Sequence, residues 1–451
     1  MANNTREQWA SKIGFILAAA GSAIGLGNIW RFPYLTGKYG GGAFVLIYIV
    51  CIAFVAIPIM VAEIVIGRKT QKNVVGAFWE LKGIGNRWQV IGWLGMISGF
   101  VILSYYSIVG GWIIDYVVKS FTFTFQDKTP ENISFMFNSL LSSPYKQVTW
   151  HALFIFINIG VVFGGIEHGI ERWNKLMMPS LFFLLIVLLV NSLLSDGVKE
   201  GLIFLYYPDF SKVNITMVLE CIGQAFFSLS VGMGAMITYG SYLKKDAHIP
   251  KAALSVAGLD LGVALLCGMV IFPIVFTYSM EPASGPGLIF KTLPITFSKM
   301  AYGQIIAPIF FTLVLFAAIT SAISLLEVVV AFFIDELNWS RQKATLIIGT
   351  LIFLVGIPSA LSSNIWSKVL FFGKTIFDFS DMLATNYMLP LGGLLISIFM
   401  GWFIEKSVKI EEICHGMSGK ITYTIWNFLI KTVTPAAVFL IILQKLNILS
   451  F

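Results

Sequence analysis

Charge is what this sequence has least of. Only 12% of its 451 residues are Asp, Glu, Lys or Arg, about half the share found in soluble domains. A water-soluble fold has no use for so little polar surface. Cysteine is also sparse. Cys51, Cys221, Cys267 and Cys414 stand alone with no Cys-x-x-Cys pair, so they read as packing residues and exclude a disulfide framework or a thiolate metal site. The four histidines, His151, His168, His248 and His415, are scattered. No Gly-x-Gly-x-x-Gly opens a soluble βαβ unit, and there is no P-loop and no His-Glu-x-x-His. Nothing marks an enzyme, and no catalytic residue is assigned. The polar N-terminus shows no evident cleavable signal peptide, and the first apolar segment carries too specific a motif to be a leader.

Apolar surface is what the chain has in abundance. Hydrophobic residues make up 57% of it, and a spanning helix needs about 20 of them. The length holds roughly ten to twelve such helices. The 39 Phe and 12 Trp suit lipid-facing and interfacial positions. The net charge of +7 does not read as a nucleic-acid surface, because the basic residues are spread through short loops. They set an orientation instead. With the N-terminus in the cytoplasm, about 18 of the 30 Lys and Arg residues fall on the cytoplasmic side, which follows the positive-inside rule.

Spans are expected at 11–34, 41–67, 88–118, 148–165, 174–195, 214–242, 252–277, 304–334, 343–357, 376–403 and 427–446. That odd count of eleven puts the C-terminus at Phe451 outside. Two longer loops, near 119–147 and 278–303, share one side. The second reads as a turn at Ser284-Gly285-Pro286-Gly287 followed by a short helix over Ile289-Phe290-Lys291-Thr292-Leu293-Pro294.

Two of these spans are interrupted. The first contains Gly21 and Gly25-Leu26-Gly27, and the sixth contains Ser228-Leu229-Ser230-Val231-Gly232-Met233-Gly234. The interruptions lie five spans apart, and units of five helices insert with opposite topology. Glycine in a helix costs about 1 kcal/mol relative to alanine, and a bilayer core has no water to satisfy freed backbone groups. Unwound carbonyls suit Na⁺, and half-helix N-termini suit a carboxylate. Close helix packing explains Gly21 and Gly25 equally well when they are taken alone. Asn28 and Arg31, which follow directly, favour a binding site. Broken helices also build channel filters, so a channel is a rival reading, and a receptor or scaffold on a transporter fold is another. Saturable uptake driven by a sodium gradient separates a transporter from an ohmic channel.

The stretches Trp9-Ala10-Ser11-Lys12-Ile13-Gly14-Phe15 and Gly25-Leu26-Gly27-Asn28-Ile29-Trp30-Arg31-Phe32-Pro33, continued by Gly40-Gly41-Gly42-Ala43-Phe44, resemble the opening of the neurotransmitter:sodium symporter family. The resemblance extends over essentially the whole chain. With one helix after Glu411-Glu412, the chain is similar to the eleven-helix bacterial branch. The resemblance implies an all-α polytopic membrane protein with a leucine-transporter-like fold. It implies a single transport domain over 1–451, with inverted five-helix repeats at 11–195 and 214–403 and an additional helix at 427–446. It also implies a bacterial cytoplasmic (inner) membrane, sodium-coupled import of hydrophobic L-amino acids, and no nucleic-acid partner.

The same resemblance implies two sodium sites. Sodium 1 would use Ala23, Asn28, Ser228 and Asp260, together with the substrate carboxylate. Sodium 2 would use Gly21, Ile24, Ala317, Thr320 and Ser321. Thr320 and Ser321 have an ordinary alternative, bonding back to their own helix. Animal members have Asn at position 260 and a chloride-linked Ser at position 264, which here is Ala264. The Asp260 carboxylate would replace that anion, so no chloride is expected, and proton antiport becomes available once sodium leaves. Tyr106 and the backbone of Leu26 and Gly27 would hold the substrate carboxylate. The carbonyls of Ala23 and Phe227 and the polar Ser230 would meet its amine, and Ser228 is also implied at the substrate. Ser22, Ile102, Phe227, Met233, Ser321 and Leu325 would form the side-chain pocket. Met233 stands where a relative has Phe, and its flexibility implies a broad aliphatic and aromatic range. Arg31 and Asp381 resemble an outer charge pair, with Phe227 as lid. Arg6 and Asp335 resemble an inner pair supported by Trp9, Ser241 and Tyr242. Glu63 is expected to brace the break in the first span. Gly169 and Pro179 enclose nine residues expected to unwind on the cytoplasmic side.

Overall fold

A computed structural model describes residues 6–279, 287–300, 302–414, 420–446 and 448. Nine helices among them are long and apolar enough to cross a membrane, and the pair Lys12–Ala23 and Gly27–Lys38, bent by 49°, adds a tenth. The apolar helix Ile215–Ser228 is shorter and resumes after a break as Ala235–Gly240. Those pieces are the first and sixth spans. The others are Gly42–Thr70, Gln89–Phe121, Pro144–Phe163, Ile166–Leu193, Ile249–Thr277, Gly303–Leu337, Arg341–Leu361, Ile376–Phe403 and Ile421–Lys445. The only extended pairing among the described residues is one bridge between Phe371 and Lys374. The all-helical membrane fold is therefore as expected.

Local chemistry starts these helices where the sequence offers a cap. The side chains of Ser11, Asn73, Thr129, Ser143, Asn214, Ser340 and Thr375 each accept a backbone N–H from the first turn that follows. Of the nine unbroken spans, the third and eighth are the most buried and the eleventh the least. The first and sixth spans meet the core formed by the third and eighth.

Three spans begin four or more residues earlier than expected, at Pro144, Ile166 and Ile421 rather than 148, 174 and 427. The fifth is instructive. Its first turns carry Glu167, His168, Glu171 and Arg172, which read as loop. Yet Glu171 is buried, and it accepts bonds from the Ala10 N–H at 2.7 Å, the Ser11 hydroxyl at 2.9 Å and Lys175 at 2.6 Å. Its charge is satisfied by tertiary partners, so the polar turn stays inside. The loop expected near 119–147 holds a helix, Pro130–Ser142, and the expected short helix covers 288–299. The turn residues Ser284 to Pro286 and the C-terminal Phe451 lie outside the described residues.

The C-terminal end of the second span is held by charge. Arg68 is buried and donates to both the side chain and the backbone carbonyl of Glu412, each at 2.6 Å, and to the carbonyl of Ala247. Its neighbour Lys69 makes an exposed pair with Glu411 at 2.9 Å. Breaking a buried pair costs about 3 kcal/mol or more, and an exposed pair is worth about 0.2–1 kcal/mol. Arg68→Met is expected to lower the melting temperature of the detergent-purified protein by several degrees. Lys69→Met should leave it nearly unchanged, and equal shifts in a fluorescence melt would refute the distinction.

Candidate binding site between two broken helices

The first span stops at Ala23. Ile24 turns extended with ψ 97°, and helix resumes at Gly27. The sixth stops at Ser228 and passes through left-handed backbone at Ser230 (φ 52°), Gly232 (φ 88°) and Gly234 (φ 76°). Glycine takes that conformation without strain. Ser230 does not, and its hydroxyl donates to the Ser22 carbonyl across the gap at 2.8 Å. The two breaks thus hold each other open.

The freed backbone groups find side chains from other spans. The Gly27 carbonyl accepts from Gln224 at 2.9 Å, and the Gly25 N–H donates to the Asn28 side chain at 3.2 Å. Glu63 differs from expectation. Its carboxylate accepts the Gly232 N–H at 2.6 Å, so it braces the sixth span rather than the first. The reason is geometric, since the second span packs against the Ala235–Gly240 half-helix, with Gly67 pressed onto the Ile237 carbonyl.

Two clusters of oxygens form around the breaks. In one, the buried Asp260 of the seventh span accepts from Ser228 at 2.9 Å to each oxygen and from Asn28 at 2.8 Å. Asn28 also donates to the Asp260 carbonyl at 3.0 Å. No Lys or Arg pairs with Asp260 among the described residues. The Tyr48 hydroxyl lies beside Ser228 and Gln224, and Ala264 is buried. In the other, the Ser321 hydroxyl faces the carbonyls of Gly21 at 3.3 Å, Ser22 at 3.2 Å and Ile24 at 3.5 Å. A hydroxyl has one proton, so two of those three carbonyls lack it at any instant. Thr320 bonds back to its own helix, at Phe316 and at Ala317.

Between the clusters lies a cavity of about 30 Å³. It is lined by Ser22, Ala23, Leu26, Gly27, Ile102, Tyr106, Phe227, Ser230, Met233, Ser321 and Leu325, with Gly25 in addition. Of the residues expected around a substrate, only Ser228 lies off this wall, in the Asp260 cluster. The Tyr106 hydroxyl lies beside the Leu26 backbone and the Ser321 hydroxyl and makes no hydrogen bond. The free volume suits a couple of water molecules, so an amino-acid side chain enters only if Phe227 or Met233 yields.

The side of the cavity facing the N-terminal segment, where the inner pair is expected, is closed. Arg6 pairs with Asp335, donates to the Ser241 hydroxyl at 2.7 Å and stacks 4.7 Å over Tyr242. Burial opposes the Arg6 charge, but Tyr242 and Asp335 more than offset it, and its pKa is raised. Trp9 bonds through its ring N–H to the Tyr239 carbonyl at 3.0 Å and through its backbone to Tyr242 at 3.2 Å. Tyr242 donates to Glu327 at 2.6 Å, and Arg341 pairs with Glu327 at 2.8 Å and Glu7 at 3.1 Å.

The opposite side differs from the expected outer pair. Arg31 lies 3.7 Å from Glu220, and Glu220 is also paired with Lys445 at 2.7 Å. Arg31 and Asp381 line the same vestibule, of about 500 Å³, without a direct ion pair. Arg31 sits 5.3 Å over the Phe227 ring. Glu220, one turn from Gln224 on an apolar helix, is nearer and draws the guanidinium away. An acid inside that amphipathic segment was the available signal, and Lys445, far along the chain, gave none. The Gly169–Pro179 segment is helical, with a wide-turn stretch Ile166–Glu171 running into Arg172–Leu193.

The sequence profile of the Sodium:neurotransmitter symporter family matches residues 6–139 and 142–450. The sodium-dependent transporter YhdH of Bacillus subtilis is 40% identical over 98% of both chains. A sodium-dependent transporter of Haemophilus influenzae is 37% identical over 98% of this chain and 99% of its own. The crystal structure of MhsT in complex with L-phenylalanine superposes with a TM-score of 0.91 at 44% identity, covering 98% of this chain and 100% of that one.

The Glu63 brace is testable by itself. An unpaired buried N–H costs about 1–3 kcal/mol. Glu63→Leu is expected to lower the melting temperature markedly, and Glu63→Gln, which keeps an acceptor facing Gly232, to recover most of the loss. Equal melting temperatures for the two variants would show that the bond to Gly232 is not what matters.

Proposed function

This chain belongs to the sodium:neurotransmitter symporter family, and from that premise we propose that it imports hydrophobic L-amino acids together with sodium ions by alternating access. It is a membrane transporter, as its relatives are, and not an enzyme. The single observation that carries the proposal is the buried Asp260 cluster. A carboxylate taken out of water costs several kcal/mol unless a charge balances it, and the described residues bring it only an amide and a hydroxyl. A cation completes it. Hard oxygen donors suit a hard cation such as sodium.

In this reading sodium is cargo. Ala23, Asn28, Ser228 and Asp260 hold one ion, with the carboxylate of the bound amino acid as a further ligand, which couples the two cargoes. Gly21, Ile24, Ala317, Thr320 and Ser321 hold the other, where the Gly21 and Ile24 carbonyls face a single Ser321 hydroxyl. Ser321 would turn its lone pairs to the ion. Tyr106 and the Leu26–Gly27 backbone take the substrate carboxylate, and Ala23, Phe227 and Ser230 its amine. The phenylalanine bound by MhsT supports an aromatic side chain between Ile102, Met233 and Leu325, and the flexible Met233 supports aliphatic ones.

The halves 11–195 and 214–403 are read as inverted repeats that rock about this site, with 427–446 outside them and the whole of 1–451 as one transport domain. The N-terminus is cytoplasmic in an inner membrane. Arg6, Asp335, Trp9 and Tyr242 close the inner path, and Arg31, Phe227 and Asp381 close the outer one once the vestibule narrows. Asp260 supplies the fixed negative charge, so chloride is not required, and protonation of Asp260 after sodium release provides for proton antiport.

Purified protein in liposomes is expected to accumulate labelled phenylalanine and leucine only under an inward sodium gradient, with saturation. Asn28→Ala and Thr320→Ala are each expected to weaken sodium-dependent binding by at least about tenfold, the equivalent of roughly 1.4 kcal/mol. Binding that ignores both changes, or ohmic current without substrate, would overturn the assignment. Replacing chloride by gluconate should leave uptake unchanged, and a loss of uptake would remove the role given to Asp260.

A further inference from the structure

The fifth span holds a buried polar group that neither the sodium ligands nor the gates account for. Asn174 is 0% exposed. Its amide nitrogen donates to the Ile170 carbonyl one turn back, at 2.9 Å. That bond fixes the amide, because the reversed orientation would press two carbonyl oxygens together. Its oxygen, Oδ1, therefore points away from its own helix and has no donor. It lies against Gly21 of the first span, where any Cβ would collide with it. Thr320 meets Gly21 on the same side, its Cβ 3.1 Å from where that Cβ would be, and the Met178 sulfur is at 3.3 Å. An unmade carbonyl oxygen thus stands beside two groups of the second sodium position, at the seam between the first, fifth and eighth spans.

The seam continues toward the cytoplasm in the same style. One turn earlier on the fifth span, the Glu171 carboxylate presses onto Gly14, two turns earlier on the first. Two glycines of the first span thus face two oxygen-bearing side chains of the fifth. Glu171 is already partnered by Ala10, Ser11 and Lys175, whereas the Asn174 oxygen has no donor, and an apolar side chain would seal that point better, so its placement calls for a polar traveller. The turn is also weakly held. Pro179 has no N–H to return to the Lys175 carbonyl, and Gly169 lies at the other end of the segment.

We propose that Asn174 is a transit ligand for sodium: its side-chain oxygen receives the ion leaving the Gly21–Thr320 position and passes it toward the cytoplasm. The inference rests on the sodium reading of that position. Asn174 acts at the barrier between site and water, not in the resting site, so its removal changes rate more than affinity.

The test compares equilibrium sodium activation of labelled phenylalanine binding with the turnover of sodium-driven uptake, both on full-length protein in liposomes. Asn174→Ala is expected to leave half-activation by sodium within about twofold and to slow turnover by about fivefold, roughly 1 kcal/mol at the transfer barrier. Asn174→Leu, which fills the space without an oxygen, should do the same and guards against a packing defect. Asn174→Asp should tighten sodium activation, because an anionic oxygen would hold the ion. Wild-type turnover in either oxygen-free variant overturns the proposal. So does a loss of sodium affinity as large as that of Thr320→Ala, which would make Asn174 part of the site or its scaffold. If Thr320→Ala itself leaves sodium activation intact, the functional reading has failed, and the transit role fails with it. If Thr320→Ala weakens activation while Asn174→Ala transports normally, only the transit role is lost.

Discussion

A bilayer core has no water to offer a carbonyl that leaves a helix, and most of this site follows from that constraint. Two spans are broken at mid-depth, and every freed group has to meet a partner from elsewhere in the chain. Ser230 reaches from one break to the Ser22 carbonyl of the other. Gln224, Glu63 and Asn28 satisfy Gly27, Gly232 and Gly25. Partners run short at Gly21 and Ile24, which share one Ser321 hydroxyl with a Ser22 carbonyl already held by Ser230, and this surplus of oxygen is what the proposed second cation position rests on. Satisfaction of backbone and provision of a site are one piece of chemistry.

The two faces of the protein are built with different strength. One face interlocks Arg6, Asp335, Trp9, Tyr242, Glu327 and Arg341 through ion pairs, ring contacts and backbone bonds. The opposite face keeps Arg31 with Glu220 and Lys445, away from Asp381, and leaves a vestibule above the Phe227 ring. These pairs are partly exposed, and such pairs are weaker than buried ones. Lys445 adds the helix Ile421–Lys445 to this cluster.

Much was readable before any tertiary contact was known. The paired interruptions stand out because glycine and serine are costly at mid-span, and the motif from Gly25 to Pro33 is distinctive. The outer edges of the spans were less readable. Glu171 sits in a turn that hydropathy assigns to loop, and only its bonds to Ala10, Ser11 and Lys175 explain its burial. Glu63 was recognised as a brace but attached to the wrong break, since nothing in the chain order says which backbone lies beside it. Glu220 went unremarked because it is a single acid in an apolar run, and Asn174 because it lies in the charged stretch Glu171-Arg172-Trp173-Asn174-Lys175, at the edge that hydropathy assigns to loop.

The sequence by itself determined that the chain lives in a membrane, that its first and sixth spans break, and that oxygen-bearing residues gather near the breaks. Those properties are local: apolar length, the cost of glycine, and residue type at a given position. Only the tertiary structure decided which carbonyl each side chain serves, that Arg31 chooses Glu220 over Asp381, and that the Asn174 oxygen is left without a donor against Gly21. The physical reason is that a hydrogen bond or ion pair depends on ångström-scale distance and direction between residues far apart in the chain, and hydrophobic periodicity carries neither.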